Sequence, residues 1–273
     1  WTTDTLVDEF FDSPINALCS ARDGSVYAGS DRGISRFQNG KWKRVFPPEG
    51  DLPWPIDRIL EASNGTLWAA TAWGALHLRK TGPIIHTSRE MGQALAVLAP
   101  YLEIARVPDK AIPTRPWEEG IGVQVVKGRY MSVRRGNAPM VVFMLAPGGV
   151  GEVAGLKVGD GILSVDGHLP TLPHRALNGR TGTSATLVVR RPGRTEPFEV
   201  TLTRGPAAGN FRNFSLSDVL EDRDGKLWFG LSWGGEILCF DTRRADAETA
   251  WRLYKPADGL DVGDGPRIAQ TRD

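Results

Sequence analysis

The chain has 273 residues, 41% of them hydrophobic and 24% charged, with a net charge of +1. The length suits about two domains, and the near-neutral balance excludes the clustered Lys/Arg surplus of a nucleic-acid binder. No apolar run is long enough to span a bilayer, so membrane association is expected only through other regions or partners.

Residues 1–14 carry acidic side chains ahead of Pro14, and the first residue is Trp1 rather than Met. Both features suit a processed or partial chain. From Ile15 the pattern becomes a meander. Ile15–Cys19 alternates as a half-buried strand does. Asp23-Gly24 is a hairpin turn, because such turns need the positive φ that Gly tolerates. Val26–Gly29, Ile34–Phe37 and Trp42–Phe46 follow as strands, separated by turns at Arg32-Gly33 and Asn39-Gly40. Four antiparallel strands in about 40 residues are the unit of a propeller blade.

A second unit repeats this order: Ile56–Leu60, Leu67–Ala70, Ala75–Leu78. The turn glycines Gly24 and Gly65 are 41 residues apart, within the range of blade repeats. A third unit runs Leu216–Leu220, Leu227–Gly230, Glu236–Phe240 and Trp251–Tyr254. Arg267–Gln270 starts a fourth. Further blades, from this chain or another, are therefore expected to complete the ring, since about four to eight blades are needed to close one.

Gly65 and Gly225 are 160 residues apart, so an insertion of about three repeat lengths is expected after the second unit's third strand. A capped apolar helix is predicted over 88–98, and residues 105–118, with three prolines among charges, read as a linker. From Gly120 the chain reads as a compact β domain, with strands at Ile121–Val126, Tyr130–Val133, Met140–Leu145, Ile162–Val165, Ala185–Arg190 and Phe198–Thr203, and one or two helical turns at Glu152–Leu156. Pro206–Asn210 leads back to the repeats.

The repeats resemble the two-component regulator propeller repeat. The matches are Asp23-Gly24, Asn64-Gly65-Thr66-Leu67-Trp68 with Thr71, and Asp224-Gly225-Lys226-Leu227-Trp228; the first copy has Tyr27 in place of Trp. The segment Gly149 to Gly167, with Ala154-Gly155-Leu156 and Gly159-Asp160-Gly161-Ile162 at its centre, resembles a PDZ domain of the bacterial type found in tail-specific and HtrA-like proteases. It departs from that pattern at Gly151 and Glu152. The fold implied is mainly β: a partial β-propeller of four-stranded antiparallel blades with an inserted PDZ-like α+β domain. Blades span 1–80, helix and Pro-rich linker 81–119, the PDZ-like domain 120–205, and the resumed blade with the start of the next 206–273.

The resemblances imply a non-catalytic, signalling-type interaction or sensor module in a bacterial periplasmic or extracytoplasmic setting. Its partner is a protein or peptide C-terminus. A PDZ groove works by β-augmentation: an extended segment pairs with a strand edge, and a loop of N–H groups takes its carboxylate. Gly120 and Gly122 form that loop, with Ile121, Val123 and Val125 on alternate positions and His174 and Leu177 as the opposite wall. An occluded groove in a purely structural fold is the competing reading. A scaffold subunit of a larger membrane-associated assembly also fits, as does the regulatory region of a protease whose catalytic domain lies outside this chain.

No catalytic residue, cofactor or metal site is expected. Gly149-x-Gly151-x-x-Ala154 lacks the long helix of a dinucleotide fingerprint. The four histidines lack ligand spacing, and His77 reads as ordinary surface. Cys19 and Cys239 read as small buried apolar residues. Trp68 and Trp228 share a mid-strand repeat position suited to packing. Arg32, Trp73 and Trp233 share a loop position that suits core packing first and contacts at one propeller face second.

Overall fold

The computed structural model describes residues 14–30, 32–48, 55–88, 92, 102–116, 120, 122–127, 140–146, 148–168, 177–191, 193–205, 210–212, 215–232, 234–260 and 267–270. The chain is mainly β and divides into two compact units. The first comprises 1–88, 98–112 and 214–273; the second comprises 89–97 and 113–213.

The first unit holds three antiparallel meanders. One is β1 (Ile15–Ser20), β2 (Val26–Ser30), β3 (Gly33–Gln38) and β4 (Lys41–Phe46). The next is β5 (Ile56–Glu61), β6 (Leu67–Thr71), β7 (Gly74–Arg79) and β8 (Gly82–Thr87), extended by β9 (Glu103–Arg106), which pairs parallel to β8. The third is β17 (Leu216–Glu221), β18 (Lys226–Leu231), β19 (Ile237–Asp241) and β20 (Trp251–Tyr254), with a helical turn, α2 (Ala247–Ala250), leading into β20.

A side-chain acceptor closes the first hairpin of each meander. Asp23 Oδ1 accepts from Ser25 N at 2.9 Å, Asn64 Oδ1 from Thr66 N at 3.0 Å, and Asp222 Oδ1 from Lys226 N at 2.9 Å. The glycines Gly24, Gly65 and Gly225 between them take φ of 80°, 78° and 76°, a region that only Gly enters at no steric cost.

The three sheets stack face to face through repeated devices. At Gly29 in β2, an added Cβ would stand 2.5 Å from Ile56 Cγ2, so only a glycine lets the first two sheets meet there. Arg22 N donates to Glu61 Oε2 at 2.7 Å, and the equivalent Ser63 N donates to Glu221 Oε2 at 2.6 Å. Each bond ties a hairpin turn to the end of the next sheet's first strand. Between the second and third sheets lies a core of Trp68, Ala70, Leu216, Leu227, Phe229, Leu238 and Trp251.

Two expectations need correction. The second meander has a fourth strand, β8, and a fifth, β9, so the departure from the repeat comes after β8. Gly82-Pro83 and two histidines at 77 and 86 masked the alternation. Of the stretch read as a linker over 105–118, the described residues 105–116 hold the end of β9, a 3-10 turn at Asp109–Ala111 and β10 (Thr114–Pro116). Val107, Ala111 and Ile112 are buried in the core, because the prolines there flank a single tight turn. The predicted helix over 88–98 falls almost wholly outside the described residues.

The second unit is built on β11 (Val123–Lys127), β12 (Met140–Leu145), β13 (Gly161–Val165), β14 (Ser184–Arg190) and β15 (Phe198–Thr203), neighbours in that order, with a separate pair of β10 and β16 (Asn210–Arg212). A short helix, α1 (Val150–Val153), is stopped by Gly155 at φ 86°. Met140, Val142, Leu156, Ile162, Leu187 and Val189 form the core of this unit. Asp160, fully buried, accepts from Arg191 Nε and Nη2 at 2.7 Å each and from Lys157 N at 2.8 Å. This fixes the start of β13. The expected strand over 130–133 lies outside the described residues.

Candidate functional site

In the second unit, β11 is an edge strand: β12 pairs with one side, and among the described residues no strand pairs with the other. An unpaired edge of this kind is a template for an added strand. The chain enters β11 through Gly120 at φ 149° and Gly122 at φ 64°. Both are constrained by close approach as well as by dihedral. A Cβ on Gly120 would meet Leu177 O at 2.9 Å, and one on Gly122 would meet Ala146 Cβ at 3.1 Å. Gly120 exchanges two hydrogen bonds with Gly205 (3.2 and 2.8 Å), and Ala146 N donates to Gly122 O at 2.8 Å. The loop is thus held at both glycines, while among the described residues β11 keeps one edge unpaired.

Two residues expected to line the groove are core residues. Val123 is 8% exposed and Leu177 2%, both in the central cluster. Val125 aligns with Val142 across β11 and β12. Ile121 and His174 lie outside the described residues. Leu177 therefore supports the loop from below: its carbonyl packs against Gly120, and Arg204 Nε donates to that carbonyl at 3.4 Å.

At the repeat position read as core packing or propeller-face contact, Trp73 falls on the packing side. Trp73 is buried at 6% exposure, with Thr87 Oγ1 donating to its carbonyl at 2.5 Å. It is packed, not displayed, because Thr71 and Thr87 bind its backbone into the sheet. Arg32 is half-buried, its N–H donating to Ser30 Oγ at 3.1 Å. Trp233 lies outside the described residues.

No protein-family model and no curated protein matches the chain. Among solved structures it is similar to the extracellular domain of a hybrid two-component system from B. thetaiotaomicron, at 15% identity over 96% of this chain and 31% of that one, TM-score 0.25. It is also similar to the HtrA-type protease AlgW with a decapeptide, at 17% identity over 70% and 59%, TM-score 0.27. A third is the extracellular domain of a one-component system from B. thetaiotaomicron, at 12% identity over 83% and 28%, TM-score 0.23. The chain spans 28% to 59% of the length of these structures. At such scores the alignments carry neither fold nor function to this chain.

A second cluster went unread in the sequence. His77 stacks on Trp68 with ring centroids 3.9 Å apart and planes at 13°, and His86 lies 5.4 Å from the same indole at 20°. Trp68 and His77 are direct cross-strand partners, and His86 is one strand further on in β8. His77 is thus not ordinary surface. Burial pulls its pKa down to about 4, with Arg79 adding to the effect, and burial takes His86 down to about 3, helped by His77 and Arg79. Both imidazoles are neutral at pH 7. The available signal was the strand pairing itself, which sets residue 77 opposite Trp68 once the turn at 72–73 is recognised.

The cysteines are free: Cys239 is buried and its thiol is pushed up to about 11 by desolvation, and Cys19 is half-buried. Among the described residues, no group of three or more metal-ligating side chains assembles, and no helix is long and apolar enough to cross a membrane.

Proposed function

We propose that the second unit is a PDZ-like peptide-binding module that takes a partner's extended C-terminus along β11, carried by propeller-type blades in the first unit. The observation that carries this reading is the edge of β11 left unpaired among the described residues, entered by way of Gly120 and Gly122. Backbone N–H groups in such a loop make an anion-binding nest, and an open edge supplies main-chain pairing. The role is recognition without catalysis, in a sensor working outside the cytoplasm. The repeated turns and the Arg22–Glu61 and Ser63–Glu221 ties support the blade reading. Ile268 N donates to Asp218 Oδ2 at 2.9 Å. That sets residues 267–270, expected as a first strand of a fourth blade but not in a strand, against β17.

Titration of the intact protein with paired peptides, one ending in a free carboxylate and one amidated, tests the site. The free acid binds at least about tenfold tighter, and Gly122→Trp, which forces a bulky residue into a positive-φ position, abolishes the difference. Equal affinity for acid and amide would overturn the carboxylate loop.

A further inference from the structure

Arg204 puts a buried cation beside the entry to β11. It follows β15, is 9% exposed, and its guanidinium meets three separate stretches of the second unit. Nη1 donates to Ser184 O at 2.7 Å and to Thr183 Oγ1 at 3.2 Å, Nε donates to Leu177 O at 3.4 Å, and Nη2 lies 3.6 Å from Asp166 Oδ2. A guanidinium presents its donors in a rigid fork, so bonds to several acceptors fix both its place and its direction. The Asp166 side chain is 51% exposed, so water screens that ion pair and the carbonyls hold the group. The sequence leaves room for it at Gly179, where an added Cβ would stand 2.8 Å from both Cδ and Nε of Arg204.

Arg204 reaches Gly120 by two routes. Along the chain, the next residue is Gly205, which exchanges two hydrogen bonds with Gly120. Across space, Leu177 O, the carbonyl that Nε reaches, is the atom an added Cβ on Gly120 would meet at 2.9 Å. Its main chain is held as well: Arg204 N donates to Thr183 O and Gly182 N to Arg204 O, each at 2.8 Å.

We infer that Arg204 is the positioning residue of the loop that enters β11: it holds the Leu177 carbonyl under Gly120 and so sets the direction of the amides that take a partner's terminal carboxylate. The inference rests on the proposed recognition at β11. Arg204 acts through Leu177 and Gly205, not on the peptide. Without it the strand edge still pairs, but the loop N–H groups no longer converge as an anion nest does.

The ratio of affinities for the free-acid and amidated peptides reads this role in the intact protein, because a general loss of stability weakens both peptides alike. Arg204→Met removes the fork, Arg204→Lys keeps the charge without the fork, and Gly179→Ala keeps the arginine but displaces it. In each variant the ratio falls from about tenfold to about twofold or less. The amidated peptide stays within about twofold of its affinity for the unaltered protein, and the near-ultraviolet circular dichroism of the folded state is retained. Gly179→Ala deletes no side chain, so it carries the test if Arg204→Met does not fold. A full ratio in Arg204→Met or Gly179→Ala would overturn the proposal. A full ratio in Arg204→Lys would overturn it in favour of charge alone, and equal loss of both peptides in favour of a structural role. A ratio near one in the unaltered protein is a different result: it overturns the carboxylate loop itself.

Discussion

Trp68 and Trp228 occupy one repeat position and differ by a single acceptor. Asp222 gathers three donors: Asp224 N and Lys226 N on Oδ1, and the Trp228 indole on Oδ2. Burial raises its pKa, but the bonds from Trp228, Lys226 and Asp224 outweigh this and hold it below the usual carboxylate range. Asp222→Ala strands those donors and lowers stability by about 2 kcal/mol, read as a shifted denaturant midpoint. The histidines also favour the folded state at higher pH, over a different window. Unfolded, each takes a proton near pH 6.5; folded, His77 waits until about 4 and His86 until about 3. Between those values the unfolded chain binds more protons, so their contribution is full above about pH 6.5 and falls as pH drops. His86 alone contributes at most about 1.4 kcal/mol per pH unit. His86→Phe flattens that part of the stability–pH curve; an unchanged curve would show that His86 charges freely in the folded state.

At the scale of elements, the stacking of sheets rests on close approach. Gly29→Ala places a methyl 2.5 Å from Ile56 Cγ2 and 2.9 Å from its Cβ, both on a β-branched side chain that has little freedom to move. The expected cost is about 1–3 kcal/mol, with the meander hairpins themselves intact by circular dichroism. In the second unit, Asp160→Ala removes the carboxylate from Arg191, whose Nη2 keeps Gly155 O at 2.7 Å. Removing one partner of a buried pair costs about 3–5 kcal/mol; Arg191 is 25% exposed, so the lower end applies, measured by urea unfolding. Much of this scaffold was legible: Asp-Gly and Asn-Gly turns marked every first hairpin, and Gly159-Asp160-Gly161 marked the entry to β13. β8 and β9 were not. β8 is opened by Gly82-Pro83 and carries His86 inward, and β9 pairs parallel, a neighbour that local alternation cannot announce. The groove was half legible. Its glycines could be read from their need for positive φ, but Val123 and Leu177 looked like lining because alternation gives a face without saying which face is the core.

For the whole molecule, the proposed function assigns mounting and recognition to different parts of the chain. Three stacked meanders repeat one set of turns and ties, and a separate five-stranded sheet presents, among the described residues, an unpaired edge at β11. In the proposed function, recognition by added strand pairing uses the backbone of β11. Hydrogen exchange on the intact protein, with and without the tightest-binding C-terminal peptide, tests this most directly. Added protection is expected to concentrate at the amides of residues 122–127, with Gly122 among them. Protection confined to the stacked meanders, with 122–127 exchanging as in the free protein, would contradict recognition at β11.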